Sequence, residues 1–167
     1  SRFSGCLSFL KFLVNMDKST EGLYRFIKQY LKINLGEISI PCPYWSNKIK
    51  NGLVVIRGFQ NGKGKSKEIK AELQKRLLPD NLNIDLFTPL YIQKFAKKER
   101  IGIDCSGLAF RVLEELVRLR YKNCSVDKLT QVFPEGITRV NVKKLTDIVY
   151  CKQINDLKEV QTGDLIR

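Results

Sequence analysis

The sequence has 167 residues, enough for one domain with its own core, and its 43% hydrophobic and 28% charged residues are typical of a globular rather than a disordered protein. The net charge of +13 favours anionic partners such as nucleic acid, acidic lipid or an anionic cell-wall polymer. No apolar run reaches the roughly 20 residues of a membrane-spanning helix, so the sequence predicts no transmembrane segment.

The first half of the chain is predicted to be mostly helical. Apolar spacing predicts a helix over residues 17–33, with Gly36 as its C-terminal cap. Two prolines, an Asn-Gly pair and a β-branched run then predict a loop, a turn and a strand within residues 38–64. A second helix is predicted over residues 66–78, because Pro79 follows it.

Three more helices are predicted in the second half. One covers residues 88–100, with Thr88 as its cap and Pro89 in its first turn. Another runs from Cys105 to about Tyr121, and a short one lies within residues 141–150. Apart from the strand within residues 38–64, strands are expected to begin near the end, where "TGDLIR" is typical of a turn that enters a strand.

The segment "GFQNGKGKS" has the context of a phosphate-binding loop, since it follows a strand-like run and precedes a helix. The pattern G-x-x-x-x-G-K-S/T requires a glycine at position 59, but that position is Phe59 and the available glycine is Gly58. The extra residue changes the path of the loop. A flexible basic loop is therefore predicted here.

The five cysteines are widely spaced and form no C-x-x-C pair; they are Cys6, Cys42, Cys105, Cys124 and Cys151. The chain contains no histidine. A zinc site without histidine would need four clustered thiolates, so neither a metal nor another cofactor is predicted.

Cys105 has the position of a reactive thiol. It is predicted at the N-terminus of an amphipathic helix, where unpaired amides and the helix dipole stabilise a thiolate. Gly107 permits close approach of the backbone, so that amides near Cys105 could hold an oxyanion. A buried packing cysteine is the alternative reading of the same spacing.

Three segments resemble, in their order along the chain, motifs of the NlpC-type cell-wall cysteine peptidases, which have a papain-like fold. "GIDCSGLAF" resembles the nucleophile motif D-C-S-G of that family. "PYW" at residues 43–45 resembles its Tyr-bearing segment, and "VQTGDLIR" resembles its P-G-D-L segment, with Thr162 where proline is commoner.

The resemblance implies a thiol protease. Cys105 would attack an amide carbonyl of a peptidoglycan peptide, commonly beside a γ-linked D-glutamyl residue, and water would release the acyl-enzyme. Asp104 and Ser106 would bind substrate and could meet its amino group. Tyr44 would lie near the thiol and support the oxyanion or orient substrate, although Tyr44 and Trp45 could instead fill the core. A cell-envelope or extracellular location is implied, but no intact signal peptide is present.

The fold implied is α+β and papain-like, with a helical N-terminal half and the nucleophile helix packed on an antiparallel sheet that this chain leaves incomplete. Residues 1–36 are assigned to an N-terminal helical extension. Residues 37–167 are assigned to a partial hydrolase domain with a helical insertion at about 58–100, where the family usually has a short loop.

The absence of histidine is the main departure from the family. Its histidine base follows the G-D-L segment, and this sequence ends three residues beyond Asp164, so truncation before the base is the expected explanation. Without a base the chain by itself is expected to be inactive. Two alternatives stay open: a non-catalytic binding module of the same fold that recognises an anionic polymer, and a basic nucleic-acid-binding protein.

Overall fold

A computed structural model describes residues 18–78, 84, 87–120, 129, 132–149 and 151–160 of the chain. The α-helices are α1 (Lys18–Leu31), α2 (Ser66–Leu77), α3 (Pro89–Lys98), α4 (Cys105–Arg120) and α5 (Val142–Leu145). The strands are β1 (Ile33–Leu35), β2 (Ile38–Ile40), β3 (Lys48–Lys50) and β4 (Leu53–Ile56). Short 3-10 helices cover Phe59–Gly62, Ile137–Arg139 and Leu157–Glu159. This mixture of helices and small antiparallel sheets is the α+β class that was predicted.

The helices begin close to the predicted residues because local signals fix them. Thr88 caps α3, since its Oγ1 accepts a hydrogen bond of 3.2 Å from the Tyr91 amide, and Pro89 occupies the first turn. Cys105 is the first residue of α4, as predicted. Within the described residues, no helix combines the length and the apolar character needed to cross a bilayer.

The strands form two separate antiparallel hairpins. In the first, β1 pairs with β2, and Leu35 lies opposite Ile38. In the second, β3 pairs with β4 around Asn51 and Gly52, whose φ values of 51° and 77° suit a tight hairpin turn. The predicted Asn-Gly turn and its following strand are thus confirmed.

Two predictions about local structure are wrong. Gly36 does not cap a helix, because α1 ends at Leu31; it lies instead in the turn between β1 and β2, with φ 61°. Apart from the strand predicted within residues 38–64, strands were expected only near the end of the chain, but all four strands of the described residues lie within 33–56. The "TGDLIR" segment lies outside the described residues.

The main core is built on the first hairpin. Side chains from β1, β2, α2, α3 and the segment before α4 are almost fully buried together; they include Leu35, Ile40, Ile69, Leu73, Ile92 and Ile101. Both helices of the predicted insertion at about 58–100 thus contribute to this core. The predicted boundary between residues 36 and 37 falls in the turn of the first hairpin.

The helix that begins at Cys105 connects this core to a second cluster. α4 packs against α1 and against α5. Phe110 of α4 contacts Phe133 edge to face, with ring centroids 5.8 Å apart, beside buried Val140 and Leu145. The first turn of α4 is therefore attached to a well-packed helix, which fixes its position.

Candidate functional site

The segment before α4 is fixed by hydrogen bonds on two sides. The Ile103 amide donates to the Pro43 carbonyl at 2.9 Å, and the Trp45 amide donates to the Ile103 carbonyl at 3.2 Å. On the other side, the Asp104 amide donates to the Gly62 carbonyl at 2.9 Å. Because the chain is held from both sides immediately before α4, the position of the Cys105 backbone is set by three parts of the sequence.

Cys105 itself is exposed and its thiol is free. It directly follows Asp104, whose Oδ1 accepts a hydrogen bond of 2.6 Å from the Gly107 amide. A carboxylate that accepts from the third residue of a helix is an N-cap, so Asp104 caps α4. The thiol therefore lies on solvent-accessible surface at a capped helix N-terminus.

A buried lysine completes this capping arrangement. Lys63 is 4% exposed, and its Nζ donates to both carboxylate oxygens of Asp104, at 2.7 Å to Oδ1 and 2.9 Å to Oδ2. The same Nζ donates to the Ser106 Oγ, which in turn donates to Asp104 Oδ1 at 2.9 Å. We call Lys63, Asp104 and Ser106 the lysine triad. A buried ammonium needs such partners, because an unpaired charge in the interior is costly.

The backbone of Lys63 is held as firmly as its side chain. Buried Arg111 donates from Nε and Nη2 to the Lys63 carbonyl, at 3.1 Å and 2.9 Å. Its Nη1 donates to Glu114 Oε2 at 2.7 Å. The α4 helix therefore contacts Lys63 at two levels: at the cap through Asp104 and nearly two turns later through Arg111.

Gly107 is the point of closest approach between α4 and the loop that carries Lys63. A Cβ built at Gly107 would lie 2.5 Å from the Gly62 carbonyl oxygen, which is too close for any other residue without a backbone shift. The predicted close approach at Gly107 is thus present. Its amide, however, already donates to Asp104.

Tyr44 lies beside the segment before α4 through its backbone, since it forms a parallel bridge with Ile103, two residues before Cys105. Its side chain is 65% exposed, so it does not fill the core. Its neighbour Trp45 is half-buried and packs on Gly58, where a Cβ would lie 2.0 Å from the indole. The Trp45 Nε1 is buried without a hydrogen-bond partner among the described residues.

The structure thus brings four predicted site residues together, Asp104, Cys105, Ser106 and Gly107, with Tyr44 on the adjacent segment. It also includes Lys63, which sequence reasoning missed. Residues 58–66 were predicted to be a flexible basic loop, and this is wrong for Lys63, which is buried and paired. The sequence signal for a buried Lys63 was the Gly62-Lys63-Gly64 triplet, because its glycines permit a close approach of the backbone. No neighbouring residue indicated Asp104 as the partner of Lys63.

Two other thiols differ from Cys105. Cys42 is largely covered, and burial raises its pKa to about 12. Cys151 is half-buried and donates from Sγ to the Leu145 carbonyl at 3.0 Å. Cys6 and Cys124 lie outside the described residues. In the described ranges, no group of three or more Cys, Asp or Glu side chains is arranged to hold a metal ion.

No model of a protein family, no curated protein and no solved structure matches this chain. The segment compared above to P-G-D-L, with Thr162 and Asp164, lies outside the described residues. Cys105 and the residues around it are therefore the features of this chain that point to a chemistry.

Proposed function

We propose that this chain is the nucleophile-bearing part of a papain-like cysteine hydrolase that cleaves amide bonds in cell-wall peptides, with Cys105 as the nucleophile. One observation carries the proposal: Cys105 is exposed, free and first in a helix whose cap, Asp104, is held by buried Lys63. A packing cysteine would be covered by neighbours, as Cys42 is. A thiol kept at the surface by a buried ionic network is suited to attack a bound carbonyl.

The resemblance implied that Asp104 and Ser106 bind substrate, but in the lysine triad both side chains are bonded to Lys63. Both side chains are engaged by the Lys63 ammonium, so a substrate amino group would have to compete with it. We assign the triad to positioning: it holds the first turn of α4, and with it the Cys105 sulfur, in one place. The Asp104 carboxylate is not free to bind a substrate amino group. A substrate whose amino group is blocked therefore fits this site better than one with a free amino group.

This chain carries the groups for attack on the carbonyl but lacks a histidine to protonate the leaving group. The Cys105 thiolate would form a C–S bond to the carbonyl carbon, and the first-turn amides other than that of Gly107, which donates to Asp104, would stabilise the oxyanion. Tyr44, on the neighbouring segment, would orient the acyl group. Expulsion of an amine then requires a proton, and the chain has no histidine to supply it. Acyl transfer from a good leaving group is the part of the reaction that this chain can perform alone.

Thioester acyl donors test the proposal because a thiolate leaves without needing a proton. The chain is incubated with an N-acylated γ-D-glutamyl thioester or with its γ-L-glutamyl diastereomer, and the acylated cysteine is located by peptide mass mapping. We expect acylation at Cys105 with a preference for the D form of about tenfold, which corresponds to about 1.4 kcal/mol of differential transition-state binding.

The Cys105→Ser variant provides the control, since it removes the proposed nucleophile and keeps every other thiol. Acylation that persists in this variant would assign the reaction to another cysteine. Equal rates for the two diastereomers, or equal rates in the folded and the denatured chain, would show an exposed thiol with no substrate site and would overturn the proposal.

A non-catalytic binding module is the second candidate, favoured by the saturation of Asp104 and Ser106 by Lys63. It predicts that the chain binds an anionic polymer such as polyglycerol phosphate and that Cys105→Ser leaves this affinity unchanged. Its distinguishing result is polymer binding together with no stereochemical preference in the thioester reaction.

A further inference from the structure

The second hairpin, β3–β4, presents apolar side chains to solvent. Ile49 is 68% exposed and Leu53 is 71% exposed, and Val54 and Val55 are exposed as well. Ile49 lies opposite Val54 in the ladder, next to the tight turn at Asn51–Gly52. Because side chains alternate along a strand, Ile49 and Val54 share one face of the hairpin, and Leu53, opposite Lys50, lies on the other. Exposed aliphatic side chains thus lie on both faces next to the turn, and an apolar hairpin tip of this kind marks an interaction surface.

The charged residues within the hairpin and at its end are all cationic. Lys48, Lys50 and Arg57 are exposed on the hairpin or at its end. The sequence contains no Asp or Glu between Glu37 and Glu68. The aliphatic residues are therefore surrounded by cations with no acidic residue near them in sequence, and the surface is complementary to one that is both anionic and apolar.

We propose that the β3–β4 hairpin docks on the surface of a membrane that contains anionic phospholipids. The aliphatic side chains would enter the boundary between headgroups and acyl chains, and the cations would remain at the phosphate level. The long stems of Lys48 and Lys50 allow their ammonium groups to reach the headgroups while the tip of the hairpin, with Ile49 and Leu53 on its two faces, enters the boundary. This inference does not depend on the proposed hydrolase activity.

Two other occupants fit the hairpin less well. Single-stranded nucleic acid is bound by stacking bases on aromatic rings as well as by cations, and residues 48–57 contain no aromatic residue. A second copy of the chain would bring Lys48, Lys50 and Arg57 against the same cations of its partner, which repel one another. A lipid surface is the occupant that matches both the aliphatic residues and the charge.

Vesicle co-sedimentation with the full chain tests the proposal. We expect binding to mixed phosphatidylcholine and phosphatidylglycerol vesicles and weak binding to pure phosphatidylcholine. Lys48→Gln together with Lys50→Gln should lower the partition coefficient about 30-fold, since each cation near an anionic surface contributes roughly fivefold. Leu53→Ser should lower it about tenfold, because one aliphatic contact with the acyl region is lost.

Matched controls separate the hairpin from the overall charge. Lys97→Gln with Lys98→Gln removes two exposed charges from α3, and Ile148→Ser with Val149→Ser removes two apolar residues that are 83% and 77% exposed. Both pairs should leave vesicle binding unchanged. Because all of these positions are exposed, thermal unfolding followed by circular dichroism should be the same for every variant.

Three results would overturn the proposal. The first is equal loss of binding in the α3 charge control and in the hairpin charge variant, which would indicate a general electrostatic effect. The second is vesicle binding that is unchanged by Leu53→Ser, which would exclude a contact between Leu53 and lipid. RNA binding that Leu53→Ser abolishes would count equally, because it would assign the hairpin to RNA. The third is a dimer in sedimentation equilibrium that Leu53→Ser dissociates, which would assign the hairpin to self-association.

Discussion

The two hairpins of this protein share a short antiparallel architecture and have opposite environments. Both consist of two short strands around a turn with a left-handed glycine, Gly36 in β1–β2 and Gly52 in β3–β4, but β3 is Lys-Ile-Lys whereas β1 and β2 carry no charged side chain. In the first, Leu35 and Ile40 are fully buried under α2 and α3. In the second, Ile49 and Leu53 are exposed. The two hairpins therefore differ in the charge of one strand as well as in the cover that α2 and α3 give to the first.

This difference suggests a division of tasks between the hairpins. The first belongs to the core that holds the segment before α4, since Ile101 and Ile103 pack in the same cluster as Leu35. The second contributes little burial and leads into the loop that ends at Lys63. Substitutions in the first hairpin should therefore lower stability, whereas substitutions in the second should affect binding.

The largest effect on stability is expected at the ion pair of Lys63, the residue at which the chain that follows the exposed hairpin becomes buried. Asp104→Asn leaves the Lys63 ammonium without its counter-charge in a buried position, which should lower the free energy of unfolding by about 3–5 kcal/mol. Asn can still cap α4, so loss of the charge is the main change. Urea denaturation measures the effect.

Two controls accompany this variant. Adding Lys63→Met to Asp104→Asn should restore most of the stability, because the buried charge is then removed. Glu21→Gln breaks the exposed pair with Arg25 and should change the unfolding free energy by less than about 0.5 kcal/mol. A destabilisation by Asp104→Asn no larger than that of Glu21→Gln would contradict a buried ion pair.

A matched pair of leucine truncations compares the hairpins directly. Leu35→Ala should lower the free energy of unfolding by about 2–4 kcal/mol, because it leaves a cavity in the core. Leu53→Ala should change it by less than about 0.5 kcal/mol, because the side chain is exposed. Equal effects of the two truncations would show that the second hairpin is covered in solution.

The two cysteines near these regions extend the comparison to reactivity. At about pH 8, iodoacetamide should modify Cys42 in the folded chain roughly 100-fold more slowly than in the denatured chain, because burial raises the pKa of Cys42 to about 12. Cys105, which is exposed, should be modified first. Peptide mapping over time gives both rates, and a Cys42 rate that matches Cys105 would refute the burial of Cys42.

A smaller effect is expected on stability at alkaline pH. The folded-state pKa of Cys42 is raised from 9.0 to about 12, so its contribution to stability is complete below about pH 9 and is lost as the pH rises towards 12. Between about pH 8.5 and pH 10.5, the wild type should lose up to about 2 kcal/mol more than Cys42→Ala. Chemical denaturation at several pH values measures the difference.

Tyr30 provides the check on that experiment. Burial also raises its pKa to about 12, so Tyr30 should cause a further loss of stability at high pH in both proteins. The Tyr30→Phe variant removes this second contribution while leaving that of Cys42. If the unfolding free energy of Cys42→Ala has the same pH dependence as that of the wild type, the thiol of Cys42 does not titrate as its burial requires.

The sequence predicted the features that depend on neighbouring residues. The start of α3 follows from Thr88 and Pro89, and the start of α4 follows from the Asp104-Cys105-Ser106-Gly107 segment. The turn of the second hairpin follows from Asn51-Gly52. Each of these signals lies within four residues, and so each could be recognised without knowing the tertiary structure.

The missed features depend on distant parts of the chain. Strands β1 and β2 have three residues each, too few to show an alternating pattern, and Gly36 suited a helix cap as well as a hairpin turn. Lys63 was assigned to a flexible loop because its partners, Asp104 and Ser106, are more than forty residues away along the chain. A buried ion pair of this kind leaves no periodic signal in the sequence.

The position of Trp45 provides a built-in spectroscopic probe. It is the single tryptophan of the chain, and its half-buried indole packs on Gly58, just beyond the end of β4. Its emission therefore arises from one known site at the base of the exposed hairpin. A shift in its wavelength, or quenching by a lipid-borne spin label, would report events at this hairpin without any added dye.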